Sequence, residues 1–134
     1  MDMVTPVERP DQLLGALRDK LGAVAVLIGA DVPARNCNDW SASLPQTPRA
    51  VIRPLDAQGV ADAVLTCRQA QLPFVPQGGL TGLCRGASPE AGWVAISLER
   101  MSGIEEIDHA SMTMTVKAGT PLETIQKAAN EAEG

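Results

Sequence analysis

The densest chemistry in the sequence is the stretch Pro76-Gln77-Gly78-Gly79-Leu80-Thr81-Gly82-Leu83-Cys84-Arg85-Gly86-Ala87-Ser88-Pro89. Glycine takes positive φ without a steric penalty, so successive amides in such a loop can turn into one concavity and donate to an anion. Phosphate is the natural guest, and Thr81 and Ser88 add hydroxyl donors. Two familiar phosphate loops do not fit. A P-loop ends in Gly-Lys-Ser/Thr, yet no Lys lies between Lys20 and Lys117. A nicotinamide-type loop runs straight into a helix, which Gly86, Ser88, Pro89 and Gly92 prevent. An anion would be held by loop amides alone. A long glycine-rich turn with no ligand is the competing reading, and local sequence leaves both open.

Other reactive side chains lack partners. His109 is the single histidine and follows Asp108 in an expected hairpin turn, where a turn role outweighs a catalytic one. Glu105 and Glu106 point to opposite faces of a strand and make a poor acid/base pair. Cys84 gains reactivity only if Arg85 lowers its pKa; a packed thiol is the default. Met101, Met112 and Met114 read as core filling. No catalytic residue and no metal-ligand cluster is expected.

These groups must be held by short elements punctuated by Pro and Gly. Leu13, Leu14, Leu17 and Leu21 share one face of a helix expected over Asp11–Leu21, with Gly22 as its stop. The apolar run 21–30 is too short for a membrane span, which takes roughly 20 residues, and reads as core. Residues 31–49 form a polar connection. Ala50-Val51-Ile52-Arg53 is a strand. Asp56 caps a helix whose Val60, Ala63, Val64, Cys67 and Ala70 make one apolar stripe, ended by Pro73. Phe74-Val75 leads into the glycine loop, and 93–98 is another strand, so a βαβ unit with a parallel sheet is expected. Residues 103–108 and 111–118 alternate as a hairpin, with Met112, Met114 and Val116 on one face. A last helix runs from Pro121 to Gly134 with Leu122, Ile125, Ala128 and Ala129 on one side. Three regions follow: 1–48, a helix and connecting loop; 49–102, the parallel unit with the glycine loop; and 103–134, a hairpin and helix. A two-stranded hairpin is marginal alone, so the chain reads as the amino-terminal piece of something longer, with an exposed face open to self-association.

Composition bounds the function. The 134 residues suffice for one compact domain, and 45% hydrophobic with 20% charged residues fits a soluble globular chain. A net charge of −5 leaves no broad cationic face for nucleic acid. Phe74, Trp40 and Trp93 are the only aromatics, too few for base-stacking platforms. Asp2, Glu8, Asp11 and Asp19 precede the apolar run where an export signal carries positive charge. Cys37, Cys67 and Cys84 form neither a disulfide framework nor a zinc pattern, so a cytoplasmic location is expected.

Asp39-Trp40, Pro48-Arg49-Ala50-Val51-Ile52-Arg53-Pro54, the Pro76–Pro89 loop, Ile96-Ser97-Leu98-Glu99-Arg100-Met101, Ile107-Asp108 and Val116-Lys117-Ala118-Gly119 occur in an order. In that order they resemble FAD-linked oxidoreductases of the vanillyl-alcohol oxidase and p-cresol methylhydroxylase type, and within them the D-2-hydroxyacid dehydrogenases. The resemblance implies an α+β fold of the p-cresol methylhydroxylase type, with a small parallel subdomain and the start of an antiparallel one. It implies FAD as cofactor. The diphosphate would rest on Gly78, Gly79, Leu80, Thr81 and Gly82, with Gln77, Leu83, Ala87 and Ser88 alongside. Pro54 and Pro76 would line the adenosine side, and Gly119 would let the cofactor approach closely. A small 2-hydroxyacid such as lactate, glycolate or 2-hydroxyglutarate would be oxidised to the 2-oxoacid by hydride transfer, with the catalytic groups beyond Gly134. Other enzymes on the same flavin fold and a non-catalytic binding module are the alternatives. Leu80 stands where the family often has Asn, and Cys84 and Arg85 where a small apolar residue and Gly are common.

Overall fold

The computed structural model describes residues 8–133. Asp2, used in the export argument, and Gly134, the expected end of the last helix, lie outside them. Helix α1 (Glu8–Leu21) begins ahead of the expected Asp11, because Pro10 is tolerated in a first turn whose N–H groups need no partner. Gly22 ends it at φ 101°, donating its amide to the Arg18 carbonyl at 2.8 Å.

The apolar run that follows is strand β1 (Val26–Ile28), antiparallel to β2 (Ala50–Ile52) with Leu27 opposite Val51. Helix α2 (Ala57–Gln69) starts where expected, with the Asp56 carboxylate accepting from the Gly59 amide at 2.8 Å. A β-carbon on Gly59 would sit 2.9 Å from that of Pro54, so the cap and the preceding turn pack backbone against ring. Strands β3 (Phe74–Gln77) and β4 (Val94–Ser97) complete a sheet of order β1-β2-β4-β3, parallel between β2, β4 and β3. The βαβ unit is present, with β4 inserted between its two strands. All four residues of β4 are buried, as a central parallel strand requires, whereas β3 exposes Phe74 and Pro76 and takes the edge, the one place a sheet accepts proline.

One face of this sheet packs Val26, Ala50, Ile52, Val94 and Ile96 against Leu14 and Leu17 of α1 and Ala63 and Cys67 of α2. Each fully buried branched side chain there contributes about 1.5–3 kcal/mol. The first region therefore supplies a helix and a strand to the same core as the parallel unit. Val51, Val75 and Ala95 form a smaller cluster on the other face, with Leu27, Val32 and Trp93 over it.

Strands β5 (Ile104–Asp108) and β6 (Thr113–Val116) pair antiparallel with a bulge: Ile104 faces Val116 while Glu106 faces Thr115, leaving Glu105 extra. The Asp108 carboxylate accepts from the Ala110 and Ser111 amides and closes the turn. Met112 departs from the expected inward row. It precedes β6 at φ 54° and is exposed, so only Met114 and Val116 are half-buried. Helix α3 (Leu122–Ala132) follows, and no residue of the hairpin or of α3 is buried. Among the described residues no helix is long and apolar enough to cross a membrane.

Candidate functional site

Parallel strands deliver their carboxyl ends to one edge of a sheet, which is where ligands of such folds sit. Here Arg53 leaves β2, the glycine loop leaves β3, and Glu99 and Arg100 leave β4. Together with Ala34, Arg35, residues 38–40 and the 118–122 turn they line a cleft of about 1150 Å³.

The loop forms one wall. Among the described residues, no amide from Gly78 to Gly82 donates to a protein acceptor, and four of these five residues, Gly78 to Thr81, line the cleft. No atom lies within 4 Å of where a β-carbon would stand on Gly78 or Gly79. Positive φ falls at Leu80 and at Arg85, where the family commonly has Gly, and not at the loop's own glycines. Gly78, Gly79, Gly82 and Gly86 all avoid it, whereas Leu80 adopts φ 61° and Arg85 φ 63°. The glycines clear space rather than turn the chain.

Gly78, Gly79, Leu80, Thr81 and Gly119 come together in the cleft lining; the remaining predicted positions do not line it. Pro54 is buried under α2. Pro76 lies on the edge strand and Leu83 is 71% exposed. Gln77 is buried behind the loop, accepting from Asn36 Nδ2 at 2.8 Å and donating to the carbonyls of Asn36 at 2.9 Å and Ala87 at 3.0 Å. The Ser88 hydroxyl donates to Asn38 Oδ1 at 3.0 Å and accepts from the Asp39 amide at 3.3 Å. Gly82 gives its carbonyl to the Trp40 amide at 3.0 Å. These bonds lash both ends of the loop to residues 36–40, and a buried network of this kind rigidifies what it holds. Gly119 is required by packing: a β-carbon would stand 1.7 Å from the Leu98 carbonyl oxygen.

Sequence reasoning did not single out the charged wall. Glu99 pairs with Arg35 and with Arg53, the latter at 3.2 Å, and Arg100 donates to the Arg53 carbonyl at 3.2 Å. Burial, then the charges of Arg100 and Arg35, lowers the Arg53 pKa from its ordinary value. Its signal was placement: Arg53 directly follows β2, and Glu99-Arg100 follow β4 after one residue, Leu98. Asp39 is buried at the same wall. Hydrogen bonds from Ser41 hold its carboxyl below the usual range, and Oδ2 is buried with no hydrogen-bond partner among the described residues. Trp40 lines the cleft at 75% exposure. Among the described residues no three His, Cys, Asp or Glu side chains converge as a metal site.

Amides without a protein acceptor, open glycines and an arginine-rich wall are the donor chemistry an anion such as a diphosphate requires, so the residues present fit a dinucleotide cofactor. The family described as "FAD binding domain" matches residues 48–134. A D-2-hydroxyglutarate dehydrogenase from Xanthomonas citri pv. viticola is 34% identical over 93 residues, 69% of this chain and 20% of that protein. A glycolate oxidase subunit GlcD from Bacillus subtilis is 35% identical over 72 residues, 54% of this chain and 15% of that protein. The chain thus spans about a fifth or less of the length of these curated relatives. In fold, p-cresol methylhydroxylase superposes with TM-score 0.79 at 20% identity, covering 94% of this chain and 25% of that one. An alkyldihydroxyacetonephosphate synthase gives 0.77 at 15% identity, covering 91% and 25%. The chain belongs to the FAD binding domain family, with the fold seen in p-cresol methylhydroxylase, and FAD is its cofactor.

Proposed function

We propose that this chain is the part of a flavin-dependent D-2-hydroxyacid dehydrogenase that seizes the FAD diphosphate. The observation that carries the reading is the run of amides from Gly78 to Gly82 that, among the described residues, donate to no protein acceptor, with Gly78 to Thr81 lining the cleft. In this reading the amides and the Thr81 hydroxyl bind the diphosphate, while Gln77 and Ser88 act from behind by fixing the loop to Asn36 and Asn38. Donors set in place beforehand need no reorganisation when the anion arrives. Bound FAD supplies the hydride acceptor for oxidation of the 2-hydroxyl of a hydroxyacid to the carbonyl of the 2-oxoacid. The 2-hydroxyacid substrate is supported by the names of the relatives, a D-2-hydroxyglutarate dehydrogenase and a glycolate oxidase subunit.

Two experiments test this. ADP, which carries a diphosphate, should displace FAD from the chain, and FMN, which does not, should fail to. Equal competition by both would contradict diphosphate recognition. Anaerobic D-lactate or D-2-hydroxyglutarate should bleach the flavin absorbance of a full-length protein carrying this segment, with the L-isomers inert. No bleaching by any 2-hydroxyacid would contradict the substrate class.

A further inference from the structure

The two arginines that share Glu99 are not held alike. Arg53 is 23% exposed in its side chain and is anchored twice, to Glu99 and through Nε to the Val24 carbonyl at 3.1 Å. Arg35 is 59% exposed, and among the described residues Glu99 is its one hydrogen-bonding or ionic partner. Both arginines, Arg100 and the loop Gly78–Thr81 line one cleft. Three guanidinium groups against two carboxylates, Glu99 and the buried Asp39, leave an excess of positive charge beside the loop residues Gly78 to Thr81. A diphosphate seated on the amides of that loop would compete with Glu99 for the guanidinium held most loosely.

We propose that Glu99 is an internal counter-ion of the cleft and that Arg35 is the group it yields to the cofactor's diphosphate. The inference rests on the loop being the diphosphate site. It makes Glu99 a brake on binding although it supports the fold, since removing its charge frees Arg35 for the ligand but strips Arg53 of a partner. Phosphate contacts of this kind are charge-assisted and, with Arg, frequently bidentate, which favours exchange from a partly exposed carboxylate to a diphosphate.

The test is FAD titration of the wild-type chain and of E99Q, R35Q, the double variant and G79L, by equilibrium dialysis, with thermal midpoints alongside. E99Q should bind FAD roughly two- to fivefold more tightly, the range expected for an exposed ion pair, while melting at a lower temperature. R35Q should bind about tenfold more weakly. The double variant should match R35Q, because Glu99 acts through Arg35. A merely structural bridge would lower both stability and binding in E99Q and R35Q together, and that result overturns the proposal. FAD binding that G79L abolishes and E99Q leaves unchanged also overturns it while the loop assignment stands. FAD binding that G79L leaves intact, or none by any variant, removes the loop assignment and this inference with it. If E99Q does not fold, R35K decides: retained affinity supports a charge role for Arg35, and affinity equal to that of wild type in R35Q contradicts it.

Discussion

Gly119 lies against Leu98 with no room for a side chain: a β-carbon on Gly119 would be 1.7 Å from the Leu98 carbonyl oxygen, 2.6 Å from its carbonyl carbon and 3.0 Å from the Met101 carbonyl oxygen. All three contacts are to backbone, which cannot rotate away. The Gly119 amide also donates to the Met101 carbonyl at 2.8 Å. This is where the turn before α3 meets the link after β4, so it joins the hairpin and last helix to the parallel sheet. Gly119→Ala should destabilise the chain by on the order of 3 kcal/mol, measured by urea unfolding. Gly86→Ala, where no atom lies within 4 Å and φ is not positive, should be close to neutral.

Leu80 is the costly residue of the loop. At φ 61° it occupies the left-handed region, which a leucine enters at a cost of about 1–2 kcal/mol and which Asn or Gly enters more easily. Its side chain is half-buried and gives up little packing. Leu80→Gly and Leu80→Asn should raise the thermal midpoint and leave FAD affinity unchanged or higher. A lower midpoint in both would show that the side chain matters more than the backbone.

Much of this was legible in the sequence, for physical reasons that differ by residue. The Asp56 cap, the α2 stripe through Ala63 and Cys67 and the buried β4 follow from local chemistry and periodicity, so they stand where expected. The direction of β1 was not legible, because three apolar residues carry no period and their pairing with β2 is decided across the chain. In the loop, composition pointed to the right segment while assigning positive φ to the glycines. The family's preference for Asn at position 80 was the better signal, since Asn tolerates the conformation Leu80 adopts. Gln77 looked like a cofactor contact and is spent inside, because its partners Asn36 and Ala87 lie 41 and 10 residues away and no spacing rule reaches them.

Acid sensitivity follows from two carboxylates. Hydrogen bonds from Ser41 lower the Asp39 pKa, and hydrogen bonds from Ser111, then Ala110, lower that of Asp108, each from an ordinary 3.8. A group whose folded pKa is depressed contributes stability that is fully present above its unfolded pKa and lost as pH falls through the folded one. Both contributions should be intact at neutral pH and decline below about pH 3.8. Circular dichroism followed from pH 6 downward should show that loss flattened in an Asp39→Asn, Asp108→Asn double variant.

The thiols should separate cleanly. Cys84 is exposed, and Cys37 and Cys67 are buried, the latter with its pKa pushed up to about 11 by burial. Thiolate is the reacting form, so a disulfide reagent at neutral pH should modify Cys84 in the native chain and reach Cys67 only on unfolding. The raised pKa also means that the stability contributed by a neutral Cys67 is present below pH 9.0 and lost as pH rises towards 11. Labelling of Cys67 at a rate equal to that of Cys84 would contradict the packing of α2 on the sheet.

The central claim is that the amides from Gly78 to Gly82 hold FAD, and Trp40, exposed in the same cleft, offers a direct readout. FAD should quench tryptophan fluorescence of the wild-type chain in a saturable way, with the signal lost in Trp40→Phe. Gly79→Leu meets no atom within 4 Å at its β-carbon and needs no left-handed backbone, so its fold should persist while its side chain fills the space the diphosphate needs. The account predicts that Gly79→Leu weakens FAD binding at least about tenfold with an unchanged melting temperature. Undiminished FAD binding by a folded Gly79→Leu chain would contradict it.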